Sequence, residues 1–313
     1  MATTLFFTSS VFEIKNIPML ALLLIPAFIG MALAIDTSDD ADDMEQDETP
    51  LQEPEDRTPP IGIDQPPATT PATTPVSGTG TGGADILNGQ SGNDLLEGLG
   101  GADTIDGNGG NDTIFAGGGN DEAVGGAGND QVFLGGGDDV YSPLADDTDD
   151  YGDDLVHGGA GNDGIVDLRG SNALYGDAGN DLIAAFGADQ IADAPNTLDG
   201  GTGNDTLFGD DGDLMIGADG EDLFAILKPA RFETDAVIIE DFNTEEDTLT
   251  LFVPQAGTSF ETVDLRFDPA ENALRAFWRG DEVAVLNGLT SADIPDVRIS
   301  IFDADDLARG GFS

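Results

Sequence analysis

A nine-residue repeat with glycine and aspartate at fixed positions constrains the fold of this chain more than any other feature. From Gly80 the sequence divides into the consecutive units GTGGADILN, GQSGNDLLE, GLGGADTID, GNGGNDTIF, AGGGNDEAV, GGAGNDQVF and LGGGDDVYS. The fourth residue of every unit is glycine and the sixth is aspartate. Compositional bias does not produce such a register, so each unit is expected to be one module of a stacked array.

The repeat resumes twice after interruptions. A second run covers residues 149–184, where Asn172 replaces the expected aspartate. Residues 185–199 are irregular and place Asn196 at the aspartate position, and a third run, which includes one unit that is a residue short, covers 200–225. Sites at these departures are expected to be weakened.

The composition of one unit predicts a tight turn followed by a short strand. A helix is excluded because each glycine costs roughly 1 kcal/mol relative to alanine. Glycine tolerates the positive φ angles that direct successive carbonyl oxygens into one concavity, and the aspartate adds a carboxylate. Such an all-oxygen site suits Ca²⁺ better than zinc or copper, which prefer histidine or cysteine, and better than Mg²⁺, which gives up its water reluctantly.

The pattern resembles the RTX nonapeptide G-G-x-G-x-D-x-U-x, which forms a calcium-binding parallel β-roll. In that family two nonapeptides make one right-handed turn, and calcium lies between stacked turns. The resemblance implies an all-β protein with a β-roll over 80–225, in runs 80–142, 149–184 and 200–225, that holds several Ca²⁺ ions. The implied metal ligands are Asp85, Asp94, Asp103, Asp112, Asp121, Asp130, Asp139, Asp154, Asp163, Asp181, Asp205 and Asp222.

The same resemblance predicts which residues stack and which point inward. Residues eighteen apart should stack, so Asp103 is expected beside Asp121 and Asp112 beside Asp130. The eighth residue of each unit is mostly apolar and should fill the interior. The expected inward columns are Leu87, Ile105, Ala123 and Tyr141 on one side and Leu96, Ile114 and Val132 on the other.

The charge of the chain favours cations as partners. It contains 62 Asp and Glu against 10 Lys and Arg, a formal net charge of -52, which excludes nucleic acid as a partner. Without cysteine it has neither disulfides nor thiolate-bound zinc. Adjacent carboxylates should hold the chain open until calcium binds. Binding in the sub-millimolar to millimolar range, typical of extracellular modules, would suit folding outside the cell.

The segments that flank the repeats have distinct compositions. Residues 1–35 contain one apolar run, 17–35, whose length suits a membrane anchor and whose Ala-Leu-Ala ending suits a signal peptide. Residues 36–79 form an acidic and Pro/Thr-rich segment that is expected to be a disordered linker. With either role for the apolar run, the acidic remainder is exported, which predicts an extracellular or cell-surface protein.

The C-terminal region has lost the nine-residue period. Residues 226–313 contain short alternating runs such as DTLTLFV and EVAVL, which predict a small antiparallel β cap that continues the stack. DAVIIEDFNTEEDTLTL, residues 235–251, also resembles the segment that commonly follows RTX arrays. Alternation around Trp278 favours core packing of that side chain over an exposed recognition patch.

No catalytic motif is found in the sequence. His157 is the only histidine and is expected on a strand surface, and neither HExxH nor G-x-S-x-G occurs. RTX relatives with enzymatic activity carry a separate catalytic domain. Because a disordered linker is expected ahead of the roll here, no such domain is expected at that place. The sequence therefore predicts a non-enzymatic extracellular calcium-binding protein with a structural or surface role. The alternatives are a secreted enzyme or an adhesin whose activity resides in the C-terminal cap; the sequence identifies no protein or glycan partner.

Overall fold

The structure is a computed structural model. It describes residues 75–142, 152–185, 195–210, 212–228, 235–253 and 262–303. The apolar run 17–35, the linker up to residue 74 and the C-terminal residues 304–313 lie outside these ranges. Within them, no helix is long and apolar enough to cross a membrane.

Every regular element of the described part is a β-strand, and most strands are short, as expected for a turn plus a few alternating residues. The strands are β1 (Ser77–Thr79), β2 (Ile86–Asn88), β3 (Leu95–Glu97), β4 (Thr104–Asp106), β5 (Thr113–Gly118), β6 (Glu122–Val124), β7 (Gln131–Gly136), β8 (Val140–Tyr141), β9 (Leu155–Ala160), β10 (Gly164–Asp167), β11 (Ala173–Ala178), β12 (Leu182–Ala185), β13 (Thr197–Asp199), β14 (Thr206–Gly209), β15 (Leu214–Ile216), β16 (Leu223–Leu227), β17 (Val237–Ile239), β18 (Thr248–Val253), β19 (Asp264–Asp268), β20 (Ala273–Trp278), β21 (Asp281–Asn287) and β22 (Ile299–Asp303).

The strands form two sheets, which the chain visits alternately as far as β19. One sheet has the order β1-β3-β5-β7-β9-β11-β13-β15-β17-β21-β20-β19, and the other has β2-β4-β6-β8-β10-β12-β14-β16-β18-β22. Neighbouring strands of the repeat region are parallel, and Leu95 pairs with Thr113, eighteen residues later. Two units therefore make one turn, which confirms the predicted parallel β-roll.

The interruptions of the repeat leave the pairing of the sheets unchanged. Gln131 pairs with Leu155 across the first interruption, and Ala173 pairs with Thr197 across the second, in both cases with parallel strands. Across the first interruption, the aspartates of consecutive turns are 24 residues apart instead of eighteen. The parallel pairing of the strands therefore tolerates the extra residues.

The C-terminal strands extend the roll further than the alternation pattern indicated. β17 and β21 continue one sheet, and β18 and β22 continue the other, all with parallel pairing. Antiparallel pairing is confined to β19–β20 and β20–β21. The cap expected over 226–313 does continue the stack, but only part of it is antiparallel, because alternation reports a strand and not the direction of its partner.

The core is the narrow space between the two sheets, filled by the eighth residue of each unit. Both predicted inward columns are present, and the side chains of Leu96, Ile105, Ile114 and Tyr141 are almost completely buried. Leu87 is only partly buried because it lies in the first turn. Each buried Leu or Ile contributes about 1.5–3 kcal/mol through removal of apolar surface from water.

The glycine at the fourth position is required by the way the turns stack. Gly110 has a φ of 126°, and a Cβ atom there would lie 2.5 Å from the carbonyl oxygen of Gly92 in the preceding turn. The second position also has positive φ but is more tolerant, since Leu99 (74°) and Asn108 (69°) adopt it at a cost of roughly 1–2 kcal/mol. Leu99 and Asn108 therefore retain the turn conformation without glycine.

Candidate metal centre

The residues at the sixth position form two columns, one at each edge of the roll. The first edge, whose residues precede the strands of the β2-containing sheet, consists of Asp85, Asp103, Asp121, Asp139, Asp163, Asp181, Asp205, Asp222 and Asp247. The second edge, whose residues precede the strands of the other sheet, consists of Asp94, Asp112, Asp130, Asp154, Asn172, Asn196 and Asp213.

One oxygen of each side chain links consecutive turns. On the first edge, the backbone N–H of Asp103 donates a 2.8 Å hydrogen bond to Oδ1 of Asp121. On the second edge, the backbone N–H of Asp112 donates a 2.7 Å hydrogen bond to Oδ1 of Asp130. The expected stacking of these pairs is therefore present, and Oδ1 at this position serves the fold rather than a ligand.

The other carboxylate oxygen, Oδ2, is buried without a hydrogen-bond partner in most of the interior turns. These residues are at most 3% exposed. They are Asp103, Asp121, Asp139, Asp163, Asp181 and Asp205 on the first edge and Asp112 on the second. A buried carboxylate oxygen without a partner costs free energy comparable to several lost hydrogen bonds unless a proton or a cation compensates it.

Backbone oxygens lie beside these carboxylates. A Cβ atom built on Gly158 would lie 2.5 Å from Oδ2 of Asp163 and 2.8 Å from the carbonyl oxygen of Gly176 in the next turn. The first-position glycine thus leaves a small space lined by a carboxylate and a carbonyl. In the units of Asp121 and Asp139 the first position is occupied by Ala116 and Leu134 instead of glycine, and both side chains are buried.

These donors fit calcium. They are all hard oxygens, carboxylate and carbonyl, which is the ligand set that Ca²⁺ takes in flexible geometry. In the part of the chain that the structure describes, no three His, Cys, Asp or Glu side chains converge as a metal cluster. The buried Oδ2 atoms and the carbonyl oxygens of the adjacent turn would therefore hold the ion.

Burial raises the pKa of the interior aspartates. Desolvation is the largest cause and raises the pKa of Asp163 to about 7 and that of Asp181 to about 8. The hydrogen bond from the backbone of the preceding turn partly offsets this effect, and the neighbouring carboxylates of the column add to it. A divalent cation would favour the ionised form by the opposite electrostatic effect.

Three of the predicted ligands already have a partner for Oδ2. In the first turn, Asp85 accepts hydrogen bonds from the backbone N–H and the hydroxyl of Thr81, and Asp94 accepts one from the N–H of Gln90 at 2.6 Å. Asp154 accepts a 3.0 Å hydrogen bond from the hydroxyl of Tyr141. The sequence pattern alone does not distinguish these residues from the others.

The remaining two predicted ligands, Asp130 and Asp222, are buried in the same columns. Oδ1 of Asp222 accepts a 2.9 Å hydrogen bond from the backbone N–H of Asp205, as in the other turns. All twelve predicted residues therefore occupy the two columns, and their role as metal ligands remains a prediction.

The columns contain two aspartates that the repeat pattern did not identify. Asp213 belongs to the unit that is one residue short, and Asp247 lies beyond the last repeat. Each directly precedes a strand, β15 for Asp213 and β18 for Asp247. An aspartate directly before a short apolar strand was therefore the available signal.

A second ladder, of asparagines at the fifth position, was also missed. The backbone N–H of Asn111 donates a 3.0 Å hydrogen bond to Oδ1 of Asn93, and that of Asn129 donates one to Oδ1 of Asn111. These bonds run from a later turn to an earlier one, opposite to those of the aspartate columns. The recurring Gly-Asn-Asp triplet was the sequence signal for this ladder.

Aromatic rings form a third ladder on the outside of one sheet. Phe115, Phe133, His157 and Tyr175 stack in consecutive turns, with ring centroids 4.7–5.4 Å apart. Nδ1 of His157 lies 3.0 Å from Oδ2 of Asp177. The only histidine thus lies on a strand surface, as expected, with its ring packed between two others.

Comparison with known proteins supports the family resemblance. The family model described as RTX calcium-binding nonapeptide repeat matches in four copies, at residues 79–114, 106–141, 148–183 and 193–224. No curated protein matched the chain. Among solved structures, the chain is similar to the extracellular lipase LipA from Serratia marcescens, with 16% identity and a TM-score of 0.22 over 72% of this chain. The match covers 40% of the lipase chain, less than half of its length. Residues 79–224 of this protein therefore contain four copies of the RTX calcium-binding nonapeptide repeat.

Proposed function

We propose that this protein is an extracellular module whose roll assembles around calcium and serves a structural or surface role. That the repeats form a calcium-binding β-roll follows from the family match and the fold. The observation that supports assembly on calcium is the buried, unpartnered Oδ2 of the interior aspartates, from Asp103 to Asp205 on the first edge.

Electrostatics explains why the roll should need the ion. Each interior carboxylate is buried next to the carboxylates of the turns above and below, and the whole chain has a net charge of -52. Like charges in a poorly hydrated column oppose folding, and a bound cation removes that opposition. The free energy of calcium binding then contributes directly to the free energy of folding.

A location outside the cell would suit a roll that folds only where calcium is abundant. Extracellular calcium modules typically bind with dissociation constants of roughly 10⁻⁴–10⁻³ M. A roll with such sites would stay open where free calcium is scarce and close where it is abundant. Within this proposal, the apolar run 17–35 is a signal peptide or an anchor that delivers the acidic region to that side.

The side chains that could suggest another role have structural positions. His157, the only histidine of the chain, is packed in the aromatic ladder. Trp278 is buried in the core, with the guanidinium of Arg279 4.4 Å from its ring. The adhesin alternative depended on an exposed aromatic patch around Trp278, so these positions favour a structural role over recognition by the cap.

Circular dichroism of the full chain tests the proposal. We expect β content to rise with calcium in the millimolar range, and much less with equal magnesium. Asp121→Asn should raise the calcium midpoint by about tenfold, because it removes a buried ligand charge. Asp281→Asn, a change at an exposed residue of the C-terminal sheet, should leave the midpoint unchanged. Equal β content in excess chelator would refute assembly on calcium.

A further inference from the structure

The two edges of the roll differ in what their aspartate oxygens contact. On the first edge, Oδ2 of Asp139, Asp163, Asp181 and Asp205 is buried without a hydrogen-bond partner in consecutive turns. This series crosses the first interruption of the repeat, since the N–H of Asp139 still donates to Oδ1 of Asp163. Donors for a cation are therefore repeated along this edge.

The second edge changes at Asp154. Its Oδ1 accepts the usual hydrogen bond from the backbone N–H of Asp130, at 2.8 Å. Its Oδ2, however, accepts a hydrogen bond from the hydroxyl of Tyr141, at 3.0 Å. Tyr141 is an inward residue that is almost completely buried, so this contact is shielded from water. The phenol hydroxyl, which also lies 3.5 Å from Oδ2 of Asp167, donates to the Asp154 oxygen whose counterpart on the first edge has no hydrogen-bond partner.

The next two positions of the second edge are asparagines, whose amide groups replace the second carboxylate oxygen. Nδ2 of Asn172 donates a 2.8 Å hydrogen bond to the carbonyl oxygen of Arg169. Nδ2 of Asn196 donates a 3.1 Å hydrogen bond to Oδ1 of Asp213. A nitrogen that donates a hydrogen bond is not a calcium ligand. Each amide therefore makes a hydrogen bond to a protein oxygen, where a cation would lie if both side chains were carboxylates.

Asp213 completes this part of the edge. Oδ1 accepts hydrogen bonds from the backbone N–H and the side-chain amide of Asn196. Oδ2 accepts a 2.9 Å hydrogen bond from the backbone N–H of Asp210. Both carboxylate oxygens are therefore used within the protein, in contrast to Asp181 and Asp205 at similar heights on the first edge.

We propose that calcium is loaded asymmetrically, along the first edge on both sides of the first interruption but on the second edge only ahead of Asp154. From Asp154 to Asp213, a phenol hydroxyl, two side-chain amides and a backbone N–H take the place of the ion. This inference rests on the proposed calcium-dependent assembly and assigns which residues of this chain carry it. One edge of the C-terminal half is therefore held together without metal.

Paired asparagine variants of the full chain test this assignment. Asp163→Asn changes the first edge and Asp154→Asn changes the second edge. Both variants make the same substitution at the sixth position of a unit. Both variants should fold, because Asn172 and Asn196 show that asparagine keeps the inter-turn hydrogen bond. Calcium bound per chain is measured by equilibrium dialysis with atomic absorption, and folding is measured by circular dichroism. Asp181→Asn and Asp213→Asn provide a second pair.

Asp163→Asn and Asp181→Asn should each lower the bound calcium by about one ion per chain or more, whereas Asp154→Asn and Asp213→Asn should leave it unchanged. A loss of calcium in Asp154→Asn equal to that in Asp163→Asn would overturn the asymmetry while leaving calcium-dependent assembly intact. Unchanged calcium in both first-edge variants would overturn the assignment of that edge. A wild-type chain that binds no calcium would refute both proposals. If Asp163→Asn does not fold, Asp181→Asn and the two second-edge variants decide the question.

Discussion

The backbone N–H of Asp139 donates a 2.8 Å hydrogen bond to Oδ1 of Asp163, the aspartate of the next turn, although 24 residues separate them. The same contact joins Asp103 to Asp121, which are eighteen residues apart. Each carboxylate therefore links two turns with one oxygen and leaves the other for a different partner. Under the proposed calcium binding, stability and ion binding would thus be coupled within a single side chain.

Replacement of the fourth-position glycine should be far more costly than replacement of its neighbour. In Gly110→Ala, the Cβ would lie 2.5 Å from the backbone of Gly92 at a φ of 126°. We expect a loss of roughly 2–4 kcal/mol from the clash and the backbone strain together. Denaturant unfolding in saturating calcium measures the difference.

Gly109→Ala is the matched control, because the nearest atom to its Cβ is 3.7 Å away and Ala127 occupies the equivalent place in the next turn. This variant should change stability by less than about 1 kcal/mol. Similar losses for the two variants would show that the stacking of glycine turns does not limit stability.

Protons should partly replace calcium in the absence of the ion. The pKa of Asp181 is raised to about 8 and that of Asp163 to about 7, so the folded state binds these protons more tightly than the unfolded state does. The resulting stability is complete below about pH 4 and is lost as the pH rises through the range from about 6 to 8. In excess chelator, circular dichroism should show more β structure at pH 5 than at pH 8.

Asp181→Asn separates this effect from the general decrease of net charge. The variant is neutral at position 181 at every pH, so in chelator at pH 8 its roll should be more stable than that of the wild type. Its calcium binding should nevertheless be weaker, as argued above. A wild-type roll with no more β structure at pH 5 than at pH 8 in chelator would contradict the prediction.

The aromatic ladder should stabilise the outer face of its sheet. The ring of His157 stacks between those of Phe133 and Tyr175, at 5.4 Å and 4.7 Å. His157→Ala should lose about 0.5–1.5 kcal/mol for each ring contact, and His157→Phe should restore most of that loss. Thermal unfolding in saturating calcium, with Gln131→Ala on the same sheet as the control, measures both. Equal melting temperatures for the alanine and phenylalanine variants would exclude a contribution from stacking.

The period of nine, together with the resemblance to the RTX nonapeptide, was sufficient to predict the roll, the inward columns and the placement of the aspartates. The resemblance implies two units per turn, and a strict repeat then fixes which residues meet one turn apart, as with Leu95 and Thr113. The contact between Tyr141 and Asp154 could not be predicted in this way. It depends on the size of one inward side chain and on its distance from the edge, neither of which the register contains.

The C-terminal region shows a different limit. The alternation in DTLTLFV indicated the strand β18, but its parallel pairing with β16 depends on where the chain re-enters the stack. Asp247 was missed for the same reason, since its position in the first edge becomes clear only once β18 is placed. A pattern within one strand does not contain information about the neighbouring strand.

The strand pairing that is retained across the interruptions has a consequence for the engineering of this protein. Gln131 and Leu155 remain partners although the connection between their strands is six residues longer than in a regular turn. Each turn touches only the turns beside it, so a longer connection at one place does not propagate through the stack. A guest domain or an epitope inserted between Ser142 and Gly152 should therefore leave the parallel pairing of Gln131 with Leu155 intact.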